Sequence, residues 1–189
     1  MSTLAQHRRQ EALLALNPAL PLGRVSVGAT RGNSGEVRRQ ATLLRLMSIV
    51  EAFTAESLVT RLESDVPPPR SAILEDVYTT AEDNAIASWP NMKKHFGQWF
   101  GIKLSHSTCP SLRRVEAMTN ARNAVAHGLG DLTRRMARKD LGQLKLDFAT
   151  IDISIAGNSV QISEQALRSS ATAAREFVEW LDGQLAAAP

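Results

Sequence analysis

The sequence predicts an all-α protein: an up-down bundle of four to five helices, with one small C-terminal β-hairpin before the last helix. Three observations predict it. Apolar residues recur at three- and four-residue steps through most of the chain beyond Glu36. Strict alternation is confined to the short stretch between Ile151 and Ile162. Proline and glycine punctuate the chain between long periodic stretches and leave few short ones.

Each element follows in order. Residues 1–34 read as a short helix and a linker. Leu4–Leu16 is amphipathic, and the stretch from Asn17 to Ser34 contains Pro18, Pro21 and several glycines without a sustained period. Residues 35–185 read as the helical domain. Ser34 is placed to cap its first helix, with Glu36 in the first turn favouring the helix dipole. That helix runs from Glu36 to about Ser64 on Leu43, Met47, Val50, Thr54 and Leu58, and Pro67, Pro68 and Pro69 end it. Ser71 caps a second helix through Ala87, and the Trp89–Pro90 pair breaks or kinks the chain. A helical pattern resumes from Asn91 to Ile102. After a loop over Leu104–Pro110, Ser111 caps a third main helix that ends near His127, with Gly128 as its stop. Leu129–Leu146 is mixed and basic, with a turn or two of helix after Thr133. The hairpin occupies about 149–163, with Ile151, Ile153 and Ile155 on one strand, Gly157–Asn158 at the turn, and Val160 and Ile162 on the other. Ser163 caps a last helix, Glu164 to about Leu181. A lone hairpin is unstable, so it must pack on the bundle or pair with another copy.

Composition bounds the function classes. The 189 residues carry a formal charge of +3, which alone marks no nucleic-acid partner. The distribution is uneven: Ser111–Lys145 holds eight basic residues (Arg113, Arg114, Arg122, Arg134, Arg135, Arg138, Lys139 and Lys145) against Glu116, Asp131 and Asp140. Such a local excess attracts phosphates. The single cysteine, Cys109, excludes an internal disulfide and points to a reducing, cytoplasmic setting. No apolar run is long enough to span a membrane, and the N-terminus has charges where a signal peptide needs its apolar core.

The chemistry concentrates on the third main helix. Leu112, Val115, Met118 or Thr119, Arg122 and Val125 follow at helical spacing, which places Arg122 on the apolar stripe, where a guanidinium needs a partner. Beside it Glu116, Asn120, Asn123 and His127 share one polar face. Histidine suits proton transfer near neutral pH, arginine offers a planar fork for phosphate oxygens, and an amide orients a ring or a ribose hydroxyl. The set fits cleavage of RNA by its own 2′-hydroxyl, with no metal and no cofactor. One histidine cannot readily serve as both base and acid, so a two-fold dimer through this helix would complete the site. As a bare spacing, the same residues also fit a C-terminal histidine cap and an ordinary arginine ion pair.

Three other constellations are weaker. His95, His106 and Cys109 lack a fourth ligand and a paired spacing for zinc, so no metal site is expected. Gly28–Gly35 precedes a helix but lacks a P-loop lysine and reads as linker. Trp89, Phe96, Trp99 and Phe100 lie at helical spacing and read as core before base-stacking platform.

The run Ala121-Arg122-Asn123-Ala124-Val125-Ala126-His127-Gly128 resembles the signature of the HEPN superfamily: an arginine, a polar residue directly after it, and a histidine at the helix end. The long helices before it, the basic stretch after it, and the hairpin with its closing helix are similar to the RiboL-PSP-HEPN branch of prokaryotic toxin and antiviral defence systems. The resemblance covers roughly Glu36–Leu181 and is sharp at Arg122, Asn123 and His127. It implies a metal-independent endoribonuclease that dimerises through the motif helix, with Arg122, Asn123 and His127 catalytic. Glu116, Asn120, Arg134 and Arg135 are expected to bind substrate, and an antitoxin or regulatory protein is a further candidate partner. Some members of the superfamily are inactive adaptors that bind RNA, nucleotide or protein, which is the alternative expectation. In similar proteins a carboxylate from the first long helix reaches the cleft. Glu51 and Glu56 are the candidates, although a solvated surface role is the expectation for each.

Overall fold

A computed structural model describes residues 34–138 and 140–187. The Leu4–Leu16 helix and the linker expected through Asn33 lie outside them, as does the side chain of Ser34. Among the described residues the chain is mostly helical. Five long helices, α1 (Ser34–Asp65), α2 (Ala72–Ile86), α3 (Trp89–Phe100), α4 (Leu112–Gly128) and α7 (Glu164–Ala187), are joined by two short ones, α5 (Arg134–Ala137) and α6 (Leu141–Ala149). A hairpin, β1 (Ser154–Ala156) and β2 (Ser159–Gln161), precedes the last helix.

The core is where α1, α4 and α7 meet. Leu43, Met47, Val50 and Leu58 of α1 face Leu112, Val115 and Met118 of α4 and Phe177, Val178 and Leu181 of α7, all fully buried or nearly so. Ala121, Ala124, Ala173 and Ala174 add small buried surfaces that let α4 and α7 approach closely. Thr54, buried inside α1, directs its hydroxyl to the Val50 carbonyl at 2.6 Å, which removes the cost of an orphan polar group. Helices α2 and α3 pack on each other and on α1, forming an outer layer.

Local chemistry sets the element ends. Ser71 Oγ accepts from the Leu74 amide, Thr133 Oγ1 from Met136, Asp140 Oδ1 from Gly142 and Gln143, and Ser163 Oγ from Ala166. Ser88 caps α3 by accepting from Asn91, so the Trp89–Pro90 pair opens this helix. Proline is tolerated in a first turn, and α3 therefore begins two residues earlier than expected. Ser111 makes no side-chain cap to α4, contrary to expectation; it is buried beside Cys109. Helix α6 had not been expected; its apolar residues, Leu144 and Phe148 among them, are too few for a clear period. Each hairpin strand is three residues long, shorter than the alternation suggests, because Ile151, Ile153 and Ile162 are buried against the bundle outside the ladder.

The hairpin is anchored within the chain. The Val160 amide donates to the Gly130 carbonyl at 2.8 Å, the Leu132 amide donates to Asn158 at 2.8 Å, and Asp131 bridges to Ser159. The segment directly after α4 thus lies along β2 and fixes the end of the helix. Gly130 has φ +97°, a left-handed conformation that strains any residue with a Cβ, so the backbone favours glycine there; the amide end of Gln40 would only have to swing aside.

Candidate active site

Helix α4 supplies most of the site, and its orientation corrects one expectation. The buried face is Leu112, Val115, Met118, Ala121, Ala124 and Val125. Arg122 is not on it. From Met118 a three-residue step and a four-residue step both stay near the same face, and close packing selects Ala121 over the bulkier neighbour. Arg122 is left at the edge with a side chain 34% exposed. There its Nη2 donates to Glu51 Oε2 of α1 at 3.3 Å, and its Nη1 donates to Asn123 Oδ1 at 3.0 Å. The guanidinium is aimed from two sides, with N–H groups to spare.

Glu51, a candidate for the cleft but expected in a solvated surface role, is the carboxylate of α1 that reaches it. It follows Val50 at the edge of the α1 core face, as Arg122 follows Ala121 at the edge of the α4 face. Two edge positions on packed helices meet, and each offsets the other's partial burial. Glu56 does not line the cleft described next.

Arg122 and Glu51 open onto a cleft of about 1000 Å³. Ala52 and Ala55 of α1 form one part of its wall, the junction of α2 and α3 from Ile86 to Pro90 another, and Thr133, Arg135 and Met136 a third. Helix α4 contributes Thr119, Asn120, Arg122, Asn123 and His127. Of the residues expected at the site, Asn120, Arg122, Asn123, His127 and Arg135 are thus brought together.

His127 is exposed in the last turn of α4 and makes no hydrogen bond or ion pair with a described residue. The helix stops at Leu129, which adopts the left-handed conformation (φ +54°), and not at Gly128 as glycine's habits suggest. Leu129 and Gly130 both donate their amides to the Ala124 carbonyl. The turn holding the imidazole is therefore closed by these bonds and held again by the hairpin.

Two expected residues are placed elsewhere. Glu116 does not line the cleft. Its carboxylate accepts from Lys93 Nζ of α3 and from His106 Nε2, the latter at 2.7 Å. Partial burial pushes its pKa up, but the bonds and charges of Lys93 and His106 outweigh that and hold it below the usual range. Arg134 is exposed on α5 beside Arg135 without lining the cleft.

The aromatic residues serve mainly as core. Trp89, which lines the cleft, is 8% exposed and packs at a tilt on Phe177, with 5.6 Å between ring centroids. Phe96 is fully buried. His95 lies on Trp99 at 4.2 Å, and burial lowers its pKa.

The cleft combines a phosphate-compatible fork, a second arginine at its rim, Arg135, that pairs with no described residue, an accessible imidazole, two amide side chains and partly apolar walls. That set can hold an anionic ester and move a proton beside it. No family model, curated protein or solved structure matches this chain. No described helix is long and apolar enough to cross a membrane.

Proposed function

We propose that the chain is a HEPN-type endoribonuclease that cleaves RNA through attack of the ribose 2′-hydroxyl, and that it acts as a toxin or defence effector. The observation that carries this reading is the Arg122–Glu51 pair, which aims the guanidinium into the same cleft as Asn123 and His127. His127 removes the 2′ proton. The 2′ oxygen attacks phosphorus, the bond to the 5′ oxygen breaks, and that oxygen takes up a proton. Arg122 binds the charged phosphorane as charge builds on its oxygens. Asn123 holds the fork by accepting from it and offers its own amide protons to ribose or phosphate. Arg135 supplies further positive charge at the rim. The products carry a 2′,3′-cyclic phosphate and a 5′-hydroxyl.

One imidazole serves as base in this scheme, and the leaving oxygen needs an acid. A homodimer across the exposed face of His127 would supply the second imidazole. The reaction needs no metal for any step. The test is cleavage of a labelled RNA in excess EDTA, with His127→Ala as control. Cleavage that persists in EDTA and is lost in the mutant supports the reading. Activity that disappears with EDTA, or survives in His127→Ala, overturns it.

A further inference from the structure

Helix α2 is the anomaly of the fold. Of its residues only Tyr78 and Ala85 are buried. Ile73 is 80% exposed, Val77 58% and Leu74 44%. Ile73 and Val77 lie one turn apart with Leu74 beside them, so they form one patch and are not scattered apolar residues. The helix also holds four acids, Glu75, Asp76, Glu82 and Asp83, and no base. Asp76 borders the patch and Asp83 lies two turns further along the same edge; both are exposed, and neither pairs with a described residue. Glu75 alone is engaged, with Arg70 at 3.1 Å.

The face therefore fits an occupant that is apolar and basic. Two α2 helices facing each other would set acid against acid, so isologous self-pairing is disfavoured. RNA would be repelled by the same charge. The chain itself contains a match: Leu4–Leu16 carries Arg8 and Arg9 against a single acid, Glu11, followed closely by Leu13, Leu14 and Leu16. Reach permits the contact. Residues 17–33 span at most about 56 Å extended. Helix α1, against which α2 packs, is roughly 48 Å long from Ser34, so every level along it is within the tether.

We propose that this acidic, apolar face of α2 is the docking site of the chain's own Leu4–Leu16 segment, with Leu13, Leu14 and Leu16 on Ile73, Leu74 and Val77 and with Arg8 and Arg9 toward Asp76 and Asp83. Ile73, Leu74 and Val77 sit at the start of α2, while Ile86 at its other end forms part of the cleft wall, so the docked segment and the proposed active site share one helix at opposite ends. The contact itself does not depend on the ribonuclease reading.

The test is a photocrosslink in the full-length protein. A benzophenone amino acid replaces Val77, and adducts are mapped by mass spectrometry on an equal mixture of heavy and light chains. The expected result is adducts within residues 4–16 and within one chain. Arg8→Glu with Arg9→Glu should lower their yield by about fivefold, as two exposed ion pairs would, and adding Asp76→Lys with Asp83→Lys should restore it. Adducts joining heavy to light chains would show a second copy as the occupant and overturn the proposal. Absence of adducts to residues 4–16, or yields indifferent to both charge reversals, would overturn it too.

Discussion

Replacing Arg122 separates a catalytic guanidinium from a structural one. Its contact with Glu51 joins side chains that are 34% and 26% exposed, at 3.3 Å. A pair that open to solvent contributes on the order of 1 kcal/mol or less to stability. In a domain of this size that loss lowers Tm by about 2–4 °C. Its contribution to cleavage is larger, because a positioned cationic donor on a developing oxyanion lowers the barrier by about 3–4 kcal/mol, or two to three orders of magnitude. Arg122→Ala should therefore leave the melting transition nearly in place and reduce cleavage of a fluorogenic RNA by about 10²- to 10³-fold. Arg122→Lys keeps the charge but cannot reach Glu51, Asn123 and phosphate together, so it should recover only a minor part of the rate. Both variants need to be measured by thermal denaturation and initial rate on the same preparation. A folded Arg122→Ala within about threefold of wild type, well inside 1.4 kcal/mol, would refute the reasoning. So would a lysine variant of full activity.

Further outcomes follow from the same geometry. Glu51→Gln should slow cleavage by roughly tenfold through the lost aim of Arg122, and combining it with Arg122→Ala should add little, which a double-mutant cycle reads directly. Glu116 has a depressed pKa in the fold. Its contribution is thus complete above the unfolded glutamate value of about 4.3 and is lost as pH falls through the lower folded value. Melts from pH 6 down to pH 3, on the order of that window, should show a smaller acid loss for Glu116→Gln than for wild type. Leu129→Gly should raise stability by about 0.5–1 kcal/mol, since it relieves the left-handed conformation of a 93% exposed leucine that buries little; an unchanged or lower Tm contradicts that. Phe177→Ala should cost about 3–5 kcal/mol by chemical denaturation, because the ring is fully buried where α7 meets the core and touches Trp89.

The long elements were legible in the sequence because their chemistry is local. Leu43, Met47, Val50 and Leu58 mark the inner face of α1, the three prolines after Val66 mark its end, and Ser71, Thr133 and Ser163 announce helix starts by side chains that do cap them. Less legible was anything decided by packing between elements. Sequence spacing cannot choose between Ala121 and Arg122 as the buried neighbour of Met118; contact with other helices chooses. The same holds for Glu51, whose partner lies 71 residues away. The stop at Leu129 instead of Gly128 comes from the bonds of Gly130 and Leu132 to the hairpin, a non-local cause. At the site, the grouping of Asn120, Asn123 and His127 was readable from helical periodicity, and the arrival of Arg135 required the turn at Gly130. Glu116 shares their helix but is drawn away by Lys93 and His106, which come from α3 and the following loop.

The central claim is that His127 and Arg122 cleave RNA by way of the 2′-hydroxyl. The most direct measurement compares an oligoribonucleotide with the same oligomer carrying a single 2′-deoxy sugar at the mapped cleavage position, in EDTA, with end-group analysis by mass spectrometry. The account predicts a 2′,3′-cyclic phosphate on the RNA fragment, no cleavage at the deoxy position, and no cleavage anywhere by His127→Ala. A 5′-phosphate product, or cutting at the deoxy position at the normal rate, would contradict it.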